Sequence, residues 1–329
     1  AEDGRFNFPP TSPPAFLCMS VGASPGTGDP PWRRLPFRGL CGSARARAIW
    51  ALATLAVAWH PTRFGRSAGR PSLAFPPGDQ WRMRVSCLGD SHTRGEVGAP
   101  WLPALQKRLG VPCDNYGRDG ETAGAIALRA RQLAPTEYAV VLAGTNDALL
   151  ELVTRTGNAA MLRAYRRQSS LPDDYRPSVT AFGAAFRSLL KAVPARWVVA
   201  ASLPPVGEAT EGEAVDVVEA YNVEIRAAVE EAPKTVYAAF GEALRPRLPP
   251  PGRGQPFDAS AAGFNSAVRD MLLHRALHAV PFGPSLGSLA WLRGRRVLHD
   301  QIHLTESSSA ALVEVIAGAF AEVRRMRSG

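Results

Sequence analysis

From Met83 onward, short apolar runs alternate with stretches whose apolar residues recur at helical spacing. Val85–Leu88, Val111–Tyr116, Tyr138–Leu142, Trp197–Ser202 and Thr235–Phe240 are four to six residues long, a length that suits strands rather than helices. Tyr138–Leu142 is apolar throughout, as a strand covered on both faces should be. Between the strands, Val97–Leu109 places Trp101, Leu102, Leu105 and Leu109 on one helical face and stops at Gly110. Thr122–Leu133 is Ala-rich and helical, ended by Pro135. In Thr180–Val193, residues Phe182, Ala185, Phe186, Leu189, Leu190 and Val193 fall at helical intervals. Glu213–Ala232 turns Val218, Tyr221, Ile225 and Val229 inward, and Glu306–Met326 carries a Leu312, Ile316, Phe320 and Val323 stripe behind Thr305 as N-cap. Leu149–Pro177 shows no clear period and reads as irregular.

Strands alternating with helices predict right-handed βαβ units: an α/β fold of three layers, with helices on both faces of a parallel five-stranded sheet. Residues 81–329 suffice for one such domain. The long connection Ala243–Leu298, punctuated by Pro and Gly and containing one helix at Ala261–Ala279, reads as a functional insertion.

Residues 1–80 break the pattern. They hold 12 of the 29 prolines and no acid between Asp29 and Asp79. Their apolar run, Ala48–Trp59, follows several arginines and is shorter than the about 17–25 residues of a membrane span. It matches the apolar region of a signal peptide, and Ala56-Val57-Ala58 resembles a cleavage site. The segment is read as a targeting extension for the secretory pathway or an organelle, with Met19 a candidate start. The alternative is a disordered extension on a cytoplasmic protein. Membrane contact is expected only through 48–59.

Composition adds that the chain, 46% hydrophobic and 20% charged, can bury a core. Of the net charge of +9, residues 1–80 supply +5, from nine Arg against four acids. The body therefore carries little excess charge, and no nucleic-acid partner is expected. Cys18, Cys41, Cys87 and Cys113 include no C-x-x-C, which argues against a zinc knuckle or redox pair.

Four motifs follow strand ends or precede a helix: Gly89-Asp90-Ser91, Asn115-Tyr116-Gly117, Gly144-Thr145-Asn146-Asp147 and Asp300-Gln301-Ile302-His303. In a parallel sheet they share its C-terminal edge, where ligands bind. Their residue types suit acyl transfer. Ser91 would attack a carbonyl, His303 would take and return the proton, and Asp300 would orient the imidazole. The spacing of Asp300 and His303 places them together on one helical turn. Asn146, the Gly117 N–H and the Ser91 N–H would bind the oxyanion. Asp90 and Asp147 would support the loops through side-chain–backbone bonds.

These blocks, in the phrasing VSCLGDSHTRGE, NYGRDGETA, VVLAGTNDAL, ASLPPVGE and DQIHLTESS, resemble the SGNH (GDSL-type) hydrolase family over roughly 83–240 and 297–325. The resemblance implies a flavodoxin-like α/β/α fold and hydrolysis of esters or thioesters of small molecules, with no metal and no cofactor. It gives Ser91, Gly117, Asn146, Asp300 and His303 the same roles. The chain departs from the family at His92 and Arg118, which would bring basic groups to the pocket. Rival functions are acyl transfer to sugar or lipid acceptors, and a non-catalytic binding protein on the same fold.

Other patterns are weaker. Gly-x-Ser-x-Gly occurs around Ser24, Ser67 and Ser285, none between a buried strand and a helix as that motif requires. His274 and His278, four apart on a helix, have the spacing of zinc ligands, but Arg275 replaces the glutamate a metalloprotease needs. Phe257, Phe264, Leu272, Leu273, Phe282, Leu286 and Trp291 would line an acyl pocket or pack over a sheet edge.

Overall fold

The computed structural model describes residues 84–328, except 169–170 and 172–174. The apolar run 48–59, Met19, Cys18, Cys41, Ser24 and Ser67 lie outside the described residues. The strands are β1 (Val85–Gly89), β2 (Cys113–Gly117), β3 (Thr136–Leu142), β4 (Ala195–Ala201) and β5 (Thr235–Ala238). The helices in chain order are α1 (Ser91–Arg94), α2 (Leu102–Leu109), α3 (Ala123–Ala130), α4 (Thr145–Arg155), α5 (Ala159–Gln168), α6 (Val179–Ala192), α7 (Glu213–Glu231), α8 (Phe240–Leu244), α9 (Ala261–His278), α10 (Leu286–Leu292) and α11 (Glu306–Ser328).

All strand pairings are parallel, in the order β2-β1-β3-β4-β5. This is the flavodoxin-like order, with its topological switch point at β1 and β3. Successive side chains point to opposite faces, which sorts the strands' apolar residues into two cores. Leu88, Val141, Val198 and Ala200 face α3, α6 and α7. Val85, Cys87, Val140, Leu142 and Val199 face α2 and α11. Trp101, Tyr221, Phe182 and Phe320 are fully buried in these layers, each contributing about 1.5–3 kcal/mol. Cys87 and Cys113 are free thiols.

Three expectations need correction. The helix over Val97–Leu109 begins only at Leu102. Gly98 and Pro100 keep 97–100 out of the helix, while Pro103 fits the first turn, where its missing N–H costs nothing. The freed segment braces the site: Ala99 donates its N–H to Leu304 O at 3.0 Å, and Trp101 Nε1–H donates to His92 O at 2.9 Å.

Leu149–Pro177 is largely helical, as the end of α4 and all of α5. Every residue from Thr145 to Val153 is buried, and the polar stripe Asp147, Glu151, Thr154 and Arg155 gives α4 a helical period that begins before Leu149. Gly144 makes the turn into it, with φ of 124° and the Phe182 ring where a Cβ would sit. The connection 243–298 holds α10 as well as α9.

Candidate active site

β1 delivers the chain to Asp90, whose Oδ1 accepts the His92 N–H at 3.0 Å and caps α1. Ser91 is the first residue of that turn, so its N–H has no intrahelical carbonyl to bind. Gly117 ends β2 directly beneath α1. A Cβ there would lie 2.1 Å from Arg94 N and 2.6 Å from Thr93 C, both backbone atoms. Glycine is what lets strand and turn approach. The Gly117 N–H donates to Asn115 Oδ1 at 2.9 Å. Across the switch point, buried Asn146 opens α4 and donates one amide hydrogen to Glu121 O at 3.0 Å, which leaves its second hydrogen.

Asp300 and His303 do not share a helical turn. Residues 298–304 form a tight loop closed by an antiparallel bridge between Leu298 and Leu304 and by the His299 N–H on His303 O at 2.9 Å. Asp300 Oδ1 accepts the N–H groups of Ile302 at 3.0 Å and His303 at 2.7 Å. Gln301 bends the chain with φ of 78°, a conformation uncommon outside glycine. The loop brings Asp300 Oδ2 to 2.7 Å from His303 Nδ1, and His303 Nε2 to 3.0 Å from Ser91 Oγ.

Burial governs the electrostatics. It is the largest influence on His303 and would lower its pKa, but the charge and hydrogen bond of Asp300, with Asp90 and Asp119, raise it above its ordinary 6.5. Burial likewise pushes Asp300 up, yet His303 and the loop N–H groups hold it well below the usual carboxylate range. Asp90 and Asp147 are raised to about 7, mainly by burial. Asp147 Oδ2 accepts the Ala123 N–H at 2.9 Å, and its Oδ1 has no partner.

His92 lies beside His303, with ring centroids 5.6 Å apart. Burial lowers its pKa to about 3, so it is neutral and brings no charge to the pocket. Arg118 is largely exposed and reaches only Glu121, at 3.8 Å. The expectation of two basic groups at the pocket therefore fails for His92.

Several neighbours of the site lie in no short motif. Fully buried His299 pairs its Nδ1 with His274 Nδ1 at 3.2 Å, one ring donating to the other, and sets its Nε2 3.9 Å from Asp300 Oδ2. Burial lowers His299 to about 4. His278 instead meets Pro284 O at 3.2 Å, so His274 and His278 do not converge. Among the described residues, His299, Asp300 and His303 form the one trio with ligand atoms close enough for a metal. A cation there would have to displace the proton between His303 and Asp300.

Buried Glu208 accepts the N–H groups of Arg296, Val297 and Leu298, just upstream of that loop. Its one sequence signal is an acid just beyond the Pro204-Pro205 strand stop. Ser285 is the N-cap of α10, accepting the Ser288 N–H at 3.0 Å, which accounts for that Gly-x-Ser-x-Gly match.

The apolar set on the long connection splits. Phe257, Phe264 and Leu286 are buried, whereas Leu272, Leu273, Phe282 and Trp291 face solvent. Two cavities, of about 380 and 320 Å³, flank the sheet's C-terminal edge, one lined by Thr93, Arg94 and Asn115, the other by Leu203, Val218 and Arg245.

Comparison with known proteins places this geometry in a family. The model of the GDSL-like Lipase/Acylhydrolase family matches residues 87–258, a span that holds Ser91, Gly117, Asn146 and Glu208 but ends before Asp300 and His303. No curated protein matches the chain by sequence. A lipolytic protein of the G-D-S-L family from Veillonella parvula is 16% identical, with a TM-score of 0.44 over 73% of this chain and 98% of that one. An acetylxylan esterase from Geobacillus stearothermophilus is 14% identical, with a TM-score of 0.44 over 72% of this chain and 93% of that one. With a matching span of more than half its length, the chain belongs to the GDSL-like lipase/acylhydrolase family and is an ester-hydrolysing enzyme.

Proposed function

We propose that the protein cleaves carboxylic esters or thioesters of small acyl compounds through an acyl-enzyme on Ser91. The carrying observation is the continuous chain from Asp300 Oδ2 to His303 Nδ1, 2.7 Å, and from His303 Nε2 to Ser91 Oγ, 3.0 Å. A serine hydroxyl is a weak nucleophile until a base holds its proton, and this chain supplies one. Ser91 Oγ bonds to the carbonyl carbon as its proton passes to His303 Nε2, while Asp300 stabilises the imidazolium.

The oxyanion is held by the Ser91 N–H, the second amide hydrogen of Asn146, and the Gly117 N–H, which exchanges Asn115 Oδ1 for a charged acceptor. Collapse expels the alcohol or thiol with the proton from Nε2. Water then repeats the sequence and releases the acid. Residues 81–329 constitute the hydrolase domain in this scheme, 243–298 its insertion, and 1–80 a targeting extension.

A fluorophosphonate probe should label Ser91. The Ser91→Ala protein should be neither labelled nor active on p-nitrophenyl acetate. Failure of the intact protein to react at neutral pH would overturn the proposal.

A further inference from the structure

The connection between β5 and α11 presents an outward surface that ester hydrolysis does not use. α9 turns Phe264, Ala267, Asp270 and His274 inward. The N–H groups of Leu286 and Gly287, at the start of α10, each donate to Glu306 at 2.8 Å. The helical pair is thus fixed to the body by one side. Its other side is apolar: Leu272, Leu273, Val280, Phe282, Trp291 and Leu292 are six of the nine exposed large hydrophobic residues among the described residues. Phe282 is 99% exposed and Trp291 71%. Such a concentration of apolar surface marks an interaction site rather than ordinary scatter.

Charge narrows the partner. From Ser260 to Leu304 the only carboxylates are Asp270 and Asp300, both buried. Asp270 is taken up by Arg293 and Arg295. Arg269, Arg275 and Arg296 are exposed and form no ion pair among the described residues. Within Ser260–Leu304 the exposed side chains are therefore apolar and cationic, and the adjacent exposed Glu306 is engaged by the Leu286 and Gly287 N–H groups.

We infer that this helical pair docks on an anionic lipid bilayer, its Phe282 and Trp291 rings entering the headgroup–acyl boundary and its arginines meeting lipid phosphates. Aromatic and aliphatic side chains mixed with Arg are the composition that such an interface stabilises. A second copy of the chain would bring the same positive charge to the contact, and a nucleic acid would leave the apolar side chains in water. An anionic bilayer satisfies both features at once. The inference does not depend on the Ser91 mechanism.

The test uses the full chain with vesicles of phosphatidylcholine, with and without phosphatidylglycerol, read by co-sedimentation and by hydrogen–deuterium exchange. Binding should require the anionic lipid and weaken with salt. Exchange should slow within residues 272–292. Phe282→Ser with Trp291→Ser should lower partitioning roughly tenfold or more, and each of Arg269→Gln, Arg275→Gln and Arg296→Gln on the order of fivefold. An unchanged melting temperature shows that these exposed substitutions leave the fold intact.

Ser91→Ala should bind as the parent does, which separates this inference from the catalytic one. Absence of protection at 272–292 would overturn it, even if the chain sediments through another segment such as 48–59. Protection that grows with protein concentration without lipid, or that a DNA duplex produces equally, would also overturn it.

Discussion

The Glu208 carboxylate accepts the Val297 N–H at 2.6 Å, and its neighbours Arg296 and Leu298 donate to the same group. Three successive N–H groups on one carboxylate form an anion nest. One residue earlier, the Gly207 N–H donates to Gln301 O at 2.8 Å. The segment after β4 thus grips the Asp300–His303 loop at two points, across about ninety residues of sequence. Glu208→Gln keeps the shape but turns an amide NH2 toward those donors. It should cost about 1–3 kcal/mol for each buried donor left unpaired. In the proposed mechanism it should also lower kcat roughly tenfold to a hundredfold through misplacement of the loop, with KM nearly constant. Urea titration and steady-state kinetics measure the two effects; a folded variant with parental kcat would refute the positioning role.

Asp300→Asn separates orientation from charge. Activity in this mechanism needs neutral His303, so it should rise with pH through the His303 pKa. Asp300 helps hold that pKa above 6.5 in the parent. Removing the carboxylate charge should move the acid limb of kcat/KM to lower pH while kcat falls by up to about 10⁴-fold. A pH–rate profile decides: an acid limb that stays in place would mean that Asp300 does not set the base.

Two of the three proposed oxyanion donors should fail differently. Asn146→Ala removes a side-chain donor and should lower kcat by about 10²–10³ with little change in KM. Gly117→Ala keeps the N–H but places a Cβ 2.1 Å from Arg94 N, so α1 and Ser91 must shift. Its stability should fall along with its activity. If Gly117→Ala retained both parental melting temperature and kcat, β2 would not fix the position of Ser91.

What was legible in the chain follows from how local each signal is. The strand runs, the order of motifs and Ser91, Asn146 and His303 as candidates all sit within a few residues of their own pattern. The polar stripe of α4, Asp147, Glu151, Thr154 and Arg155, spans the Gly144–Asp147 motif and the stretch after it, so neither segment alone contains the period. The three-residue spacing of Asp300 and His303 fits a helical turn and equally a loop closed by the Asp300 side chain, and only the fold separates the two. Glu208 and the His274–His299 pair act across the fold, and no short window contains both partners. Phe282 and Trp291 were visible as apolar residues, but only burial told surface from pocket.

Asp147 offers a stability test independent of catalysis. Burial raises its pKa from 3.8 to about 7, and only one of its oxygens is hydrogen-bonded, to the Ala123 N–H. A carboxyl whose folded pKa exceeds its unfolded one favours the fold fully below about pH 4, and loses that advantage as pH rises through 7. The cost at pH 8 is on the order of 4 kcal/mol. Asn can still accept the Ala123 N–H through its carbonyl oxygen and never ionises. Asp147→Asn should therefore match the parent near pH 4 and gain in relative stability up to pH 8. Thermal melts at intervals across that range give the answer directly. A stability difference independent of pH would show that Asp147 ionises in the fold as it does in the unfolded chain, better hydrated than its burial implies.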